Sequence, residues 1–279
     1  MRIRVVTDST CDLPAETVER LGIHVIPLYI HMGGQSYLDG VDISREAFYQ
    51  QLPGLVTQPT TAAPGSERFA QVYDSLAEQG AEQILSIHIA QSLSATLNFA
   101  RTGAEQARIA DVTVLDSGQL SLGVGYIVQE AAERAAQGHT MEQILHAVGE
   151  VAKRTFVFAA LDTLEFLKRS GRMSWAIAVL GEVLRIRPIL RMNDGVSEVE
   201  RVRTESRALA RVAEILRERL PVERLALVHT NAHERAEALR HLVADLLPPG
   251  ELPTVNITPV IGAHIGPNAV GFACVSAAR

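Results

Sequence analysis

Several functional vocabularies are nearly absent from this chain. Only two cysteines occur in 279 residues, Cys11 and Cys274, and neither sits in a CxxC or metal-ligand spacing. That argues against a disulfide framework or a structural metal and leads us to expect a reducing, cytoplasmic setting. No run reaches the roughly 18 uninterrupted apolar residues that a membrane span requires. The start, MRIRVVTDST, turns polar too early for a signal peptide. Excess positive charge is also missing: 26 basic against 32 acidic residues give a formal charge of -6, so no nucleic-acid groove is expected. There is no GxSxG elbow, no P-loop, no GxGxxG after the first apolar run and no HExxH. No catalytic residue, metal or cofactor is therefore assigned, and a binding protein is favoured over an enzyme.

What is present is a regular alternation. Apolar runs at Ile3–Thr7, His24–Ile30, Gln83–Ile89 and Val112–Leu115 alternate with segments of helical spacing, such as Phe69, Val72, Tyr73 and Leu76. Such alternation predicts a parallel sheet with helices on both faces. Asp12 is expected to cap the first helix, opened by Pro14. Gly33–Ile43 has turn or small-hairpin composition, and Gly54–Ser66 is an aperiodic loop. Near residue 160 the character changes. Strands are expected at Ile186–Leu190, Val196–Val202, Arg224–His229, Thr254–Pro259 and Val270–Val275, with Asp194-Gly195 a hairpin signal and helices at about Glu205–Leu220 and His233–Leu247. The expected fold is α/β: an N-terminal parallel-sheet α/β domain over residues 1–160 and a C-terminal α+β domain with a mixed or antiparallel sheet over 161–279, in extensive contact.

The candidate site residues lie mostly in loops. Asp8-Ser9-Thr10, Ser92-Leu93-Ser94 and Asp116-Ser117 each end a predicted parallel strand, where helix N-termini present free N–H groups. Ser94 also has the simpler reading of a helix cap, and Thr60-Thr61 that of turn residues. His264 stands in PVIGAHIGPNAVGF, read as two strand-like runs joined by a Gly, His, Pro and Asn loop. Packing or ligand contact are both open for it. Eight basic residues (Lys168, Arg169, Arg172, Arg185, Arg187, Arg191, Arg201 and Arg203) face only four acidic ones over 168–203, which reads as a solvated face or a partner surface. An enzymatic alternative is a small-molecule phosphotransferase or hydrolase using Asp8, Asp116 and His264.

Seven segments in order, VTDSTCDLP, PTTAAPGSERF, SLSATLNFA, DSGQLSLGVG, LEFLKRSGRMS, LRIRPIL and GAHIGPNAVG, closely resemble the DegV family, which includes the FakB-type fatty-acid-binding subunits of bacterial fatty acid kinase. The resemblance implies a long-chain fatty acid buried between two α/β domains and presented to a separate kinase subunit, which converts its carboxylate to an acyl phosphate. It also implies a protein that is not integral to the membrane and touches it at most transiently. The family's TSQPS loop falls on Thr61-Ala62-Ala63-Pro64-Gly65, its LSGT segment on Leu93-Ser94-Ala95-Thr96 and its HTGPG on His264-Ile265-Gly266-Pro267-Asn268. Thr61, Ser94 and His264 are thereby implied as carboxylate contacts. Asp8, Ser9, Thr10, Ala62, Ala95, Thr96, Asp116, Ser117, Gly262, Gly266, Pro267 and Asn268 would form the supporting loops. Arg172, which keeps the arginine of a GGR turn, and Arg203 are implied as phosphate or kinase contacts. The tail is expected among Phe156, Phe158, Leu161, Leu164, Phe166, Leu167, Ile177, Leu180, Leu184, Ile186, Ile189 and Leu190.

Overall fold

The structure is a computed structural model and describes residues 2–172, 186–247 and 252–278. Its first half builds a parallel sheet in the order β2-β1-β6-β7, from β1 (Ile3–Asp8), β2 (His24–Ile26), β6 (Gln83–His88) and β7 (Val112–Asp116). Helices α1 (Ala15–Leu21), α3 (Ser66–Glu78), α4 (Thr96–Gln106), α5 (Leu122–Ala136) and α6 (Met141–Lys153) belong to this half. On α3 the predicted face of Phe69, Val72, Tyr73 and Leu76 packs with Val6, Ile26 and Ile84 of the sheet. Thr140 and Gln143 close a capping box at the start of α6.

A small antiparallel sheet, β4-β3-β5, comprises β3 (Tyr29–Met32), β4 (Gln35–Leu38) and β5 (Thr60–Ala62), and α2 (Arg45–Gln51) lies between β4 and β5 in sequence. The predicted strand His24–Ile30 is thus split at Pro27-Leu28 between two sheets. The aperiodic 54–66 stretch contains β5, three residues too few to show a period.

The second half is a six-stranded sheet, β10-β9-β8-β13-β11-β12, from β8 (Thr155–Ala160), β9 (Arg187–Asn193), β10 (Val196–Val202), β11 (Val222–His229), β12 (Thr254–Asn256) and β13 (Val270–Ser276). All its pairs are antiparallel except β11 with β12. The chain is therefore an α/β protein with a parallel four-stranded sheet and a mixed six-stranded one. β8, which precedes the expected boundary at 160, pairs with β9 and β13 of this mixed sheet. Asp194 and Gly195 both take positive φ (47° and 76°), the conformation a two-residue hairpin demands. Helices α7 (Glu165–Ser170), α8 (Glu205–Arg219), α9 (His233–Leu242) and α10 (Pro259–Ile265) belong to this half. One apolar core runs through both halves, joining Val5, Leu85 and Ile127 to Val157, Met192, Val228 and Ile261.

Three local expectations are corrected. The run beginning at Pro259 is helix rather than strand, so the predicted Thr254–Pro259 strand stops at Asn256. The last long helix ends at Leu242, followed by a short turn over Ala244–Leu246. Asp12 does not cap α1. It takes a left-handed conformation (φ 55°), and its buried carboxylate accepts from Ser121 Oγ and Thr258 N and pairs with Arg45.

Candidate functional site

The carboxyl edge of the parallel sheet faces the mixed sheet across a cavity of about 350 Å³. That volume lies in the range of small-molecule sites, roughly 300–1,000 Å³. The mixed sheet contributes Val157, Ala159, Leu190, Met192 and Val228, and α10 with the residues beside it contributes Ile257, Val260, Ile261 and Ile265. The first half contributes Leu28, Ala62, Ala63, Ile89, Leu93, Ala95, Phe99 and Leu120. Polar lining is sparse: Thr10, Thr61, Ser94, Arg172, Arg191, Ser197 and His264.

Two of these meet although 203 positions separate them: Thr61 Oγ1 lies 2.8 Å from His264 Nε2. β5 brings Thr61 there by pairing it with Ile30 of β3, and α10 carries His264 in its last turn. Thr258 caps α10 and Pro259 is its first residue, which is why this buried run is helical. Burial, and secondarily the charge of Arg172, push the His264 imidazole down to about 4, so the ring is neutral at pH 7. Its Nδ1 is buried without a partner. A proton there would leave a buried donor unsatisfied, so we assign the Nε2–H tautomer, with His264 donating to Thr61. The Thr61 hydroxyl is then free to donate its own proton onward.

Ser94 lines the same cavity and also serves the helix. Its Oγ accepts from Thr96 N at 3.2 Å and lies 2.8 Å from Thr96 Oγ1, one residue outside the N-cap position, which Ala95 holds. Arg172 is exposed and borders the cavity, with a guanidinium bond to Ser170 O at 3.0 Å. Arg203 is exposed beyond the end of β10 and does not line the cavity. Within the basic cluster, Arg169 pairs with Glu165, Arg187 with Asp162 and Arg191 with Glu200. Arg185, Ile177, Leu180 and Leu184 lie outside the described residues. Of the expected tail-lining residues, Phe158, Leu161, Leu167 and Leu190 border the cavity.

The remaining loop residues hold the frame. Asp8 is fully buried and accepts from Thr10 N, Thr10 Oγ1 and Ile89 N, with His88 Nδ1 at 2.9 Å. Burial alone would raise its pKa, but the bond and charge of His88 and the bonds from Thr10 hold it below the ordinary carboxylate range. Ser9 Oγ accepts from Leu28 N, Ser117 Oγ from Gln119 N, and Asp116 from Gly118 N and Gln91 N. Of the three residues of the enzymatic alternative, His264 lines the cavity and Asp8 and Asp116 do not. Gly262 gives way to Tyr49, and Gly266 (φ 77°) to Phe166; added Cβ atoms would collide with both rings. At both positions the missing side chain makes room for a packed aromatic ring. Asn268 N donates to Thr230 O at 2.8 Å, and neither Pro267 nor Asn268 borders the cavity. Among the described residues no group of His, Cys, Asp and Glu could hold a metal ion, and no helix is long and apolar enough to cross a membrane.

A family model described as "Uncharacterised protein, DegV family" matches residues 2–277. The chain belongs to the DegV family. It is 36% identical over 275 residues to a DegV domain-containing protein of Streptomyces coelicolor, covering 96% of each chain. Its fold is similar to a fatty-acid-binding DegV family protein from Thermus thermophilus, with TM-score 0.90 and 35% identity over 99% of this chain and 100% of that one. It is also similar to DegV from Bacillus subtilis, described as a fatty acid binding protein, with TM-score 0.89 and 30% identity over 99% of this chain and 100% of that one. The DegV-like fold thus follows from both sequence and structure.

Proposed function

We propose that this chain binds a long-chain fatty acid, with the carboxylate at Thr61, Ser94 and His264 and the tail along the apolar cavity between the two halves. The observation that carries this reading is a largely aliphatic cavity whose wall includes an interacting Thr61–His264 pair and a serine hydroxyl. A carboxylate taken from water needs hydrogen-bond donors, or the cost reaches several kcal/mol. The Thr61 and Ser94 hydroxyls meet that need, while neutral His264 orients Thr61 from behind. The tail supplies most of the affinity: ~14 buried methylenes contribute on the order of 11 kcal/mol before ordering costs. Fatty acid binding by the Thermus and Bacillus relatives supports the same reading.

The clamp is made of neutral groups, which leaves the head group available to another protein. Presentation to a separate kinase, which phosphorylates the carboxylate to an acyl phosphate, fits this arrangement. In this reading Arg172, exposed at the cavity, meets the added phosphate, and Arg203, also exposed, contacts the kinase.

Native mass spectrometry of the purified protein tests the binding reading. The expected result is a co-purifying mass of a fatty acid of about 16–18 carbons, a tail of the length used above. A protein that stays ligand-free after incubation with such acids, or that shows metal- or nucleotide-dependent turnover alone, would overturn it.

A further inference from the structure

Gln58 lies in the segment entering β5, three residues before Thr61, and does not itself border the cavity. Its side-chain Nε2 donates to Ala263 O at 2.8 Å and to Phe166 O at 3.1 Å. Both acceptors are main-chain carbonyls, so the orientation of the amide follows from its partners: only the nitrogen can serve them.

The first bond answers a specific deficit. Ala263 lies in the last turn of α10, where carbonyls lack intrahelical donors. The residue four positions on is Pro267, which has no N–H to give. Gln58 supplies the donor from outside the helix, at the peptide that joins Ala263 to His264. The second bond reaches α7, whose Phe166 ring packs against Gly266 just past the end of α10. After α7 the chain passes Gly171 to Arg172 at the cavity. One amide therefore ties the strand bearing Thr61 to the helix bearing His264 and to the helix leading into Arg172. The bonds keep Gln58 Oε1 buried without a partner. An apolar or acceptor-only side chain of similar length cannot reproduce them.

We infer that Gln58 is a positioning residue for the head-group site: its two hydrogen bonds fix β5 against α10 and so set the Thr61–His264 separation that receives a carboxylate. This rests on the fatty-acid reading above.

The test uses Gln58→Met and Gln58→Glu, both close to glutamine in length and both lacking the amide donor. Each variant and the wild type are titrated with palmitate and with 1-hexadecanol, which has a tail of the same length and no carboxylate. The expected result is a loss of about 10-fold in palmitate affinity in both variants, with 1-hexadecanol affinity within about 2-fold of wild type. The Nε2–H proton of His264, followed by NMR, should exchange faster with solvent in both. Unchanged palmitate affinity and proton exchange, or equal loss for both ligands, would overturn the positioning role. So would failure of both variants to fold, which would make Gln58 a residue of the fold alone. A wild type that binds neither ligand would instead refute the fatty-acid reading, so the two failures are distinguishable.

Discussion

Two polar clusters stand near the same cavity and differ in how far the protein satisfies them. In the first, Asp8 holds Thr10, Ile89 N and His88, His88 continues to Ser86 at 2.7 Å, and Ser86 to Tyr73 at 2.8 Å. Every group in that chain has a protein partner. In the second, Thr61 accepts from His264 and keeps its own hydroxyl proton free to donate, and Ser94 bonds Thr96 two residues away. A saturated buried network rigidifies a fold, whereas an incompletely satisfied one beside an aliphatic cavity is suited to receive a ligand. Both clusters contain a histidine and a hydroxyl, so residue type alone does not separate them.

The contrast can be broken most forcefully at Asp8. Asp8→Ala removes the acceptor for His88, Thr10 and Ile89 N in a fully buried place, and should cost about 3–5 kcal/mol of stability. Urea unfolding measures this; a loss below about 1 kcal/mol would show that the network is not structural. A smaller effect sharpens the other side. His264 should titrate near 4 in the ligand-free protein, against 6.5 as its ordinary value. Between those values the unfolded chain carries a proton there that the folded chain lacks. This contribution to stability is therefore full above about pH 6.5 and shrinks as the pH falls toward 4. Asp39 acts in reverse: burial raises it to about 6, so its contribution is lost as the pH rises through that value. Imidazole NMR isolates the histidine. Its midpoint should rise when palmitate binds, because a nearby anion favours the charged ring. A midpoint near 6.5 in the free protein, or no change on binding, would contradict this placement.

Much of the fold was legible because its helices are amphipathic. α3 shows a clear apolar face, and the parallel strands read as apolar runs ending in polar loops. The helix that carries His264 was not legible from periodicity. Pro259, Val260, Ile261, Gly262 and Ala263 are all buried, so no polar face marks the turn and a buried helix resembles a strand. The available signal was Thr258-Pro259, a cap followed by proline at the first helical position. Thr61, Ser94 and His264 stand out singly as loop residues, but only the resemblance groups them as one carboxylate site; their spacing along the chain holds no information about their meeting. Gln58 carried no local signal at all. It acts on carbonyls 108 and 205 positions away, which only the folded chain brings near. Asp12 has the look of a helix cap because it stands two residues before Pro14, while its carboxylate is drawn inward by Arg45 and Thr258.

The most direct measurement is a palmitate titration of the wild type, Thr61→Val and His264→Ala, with melting temperatures recorded alongside. Each substitution should lower affinity by about 10- to 100-fold, the range of a hydrogen bond to a charged group, while the protein stays folded. Wild-type affinity in both variants would contradict a carboxylate held at Thr61 and His264.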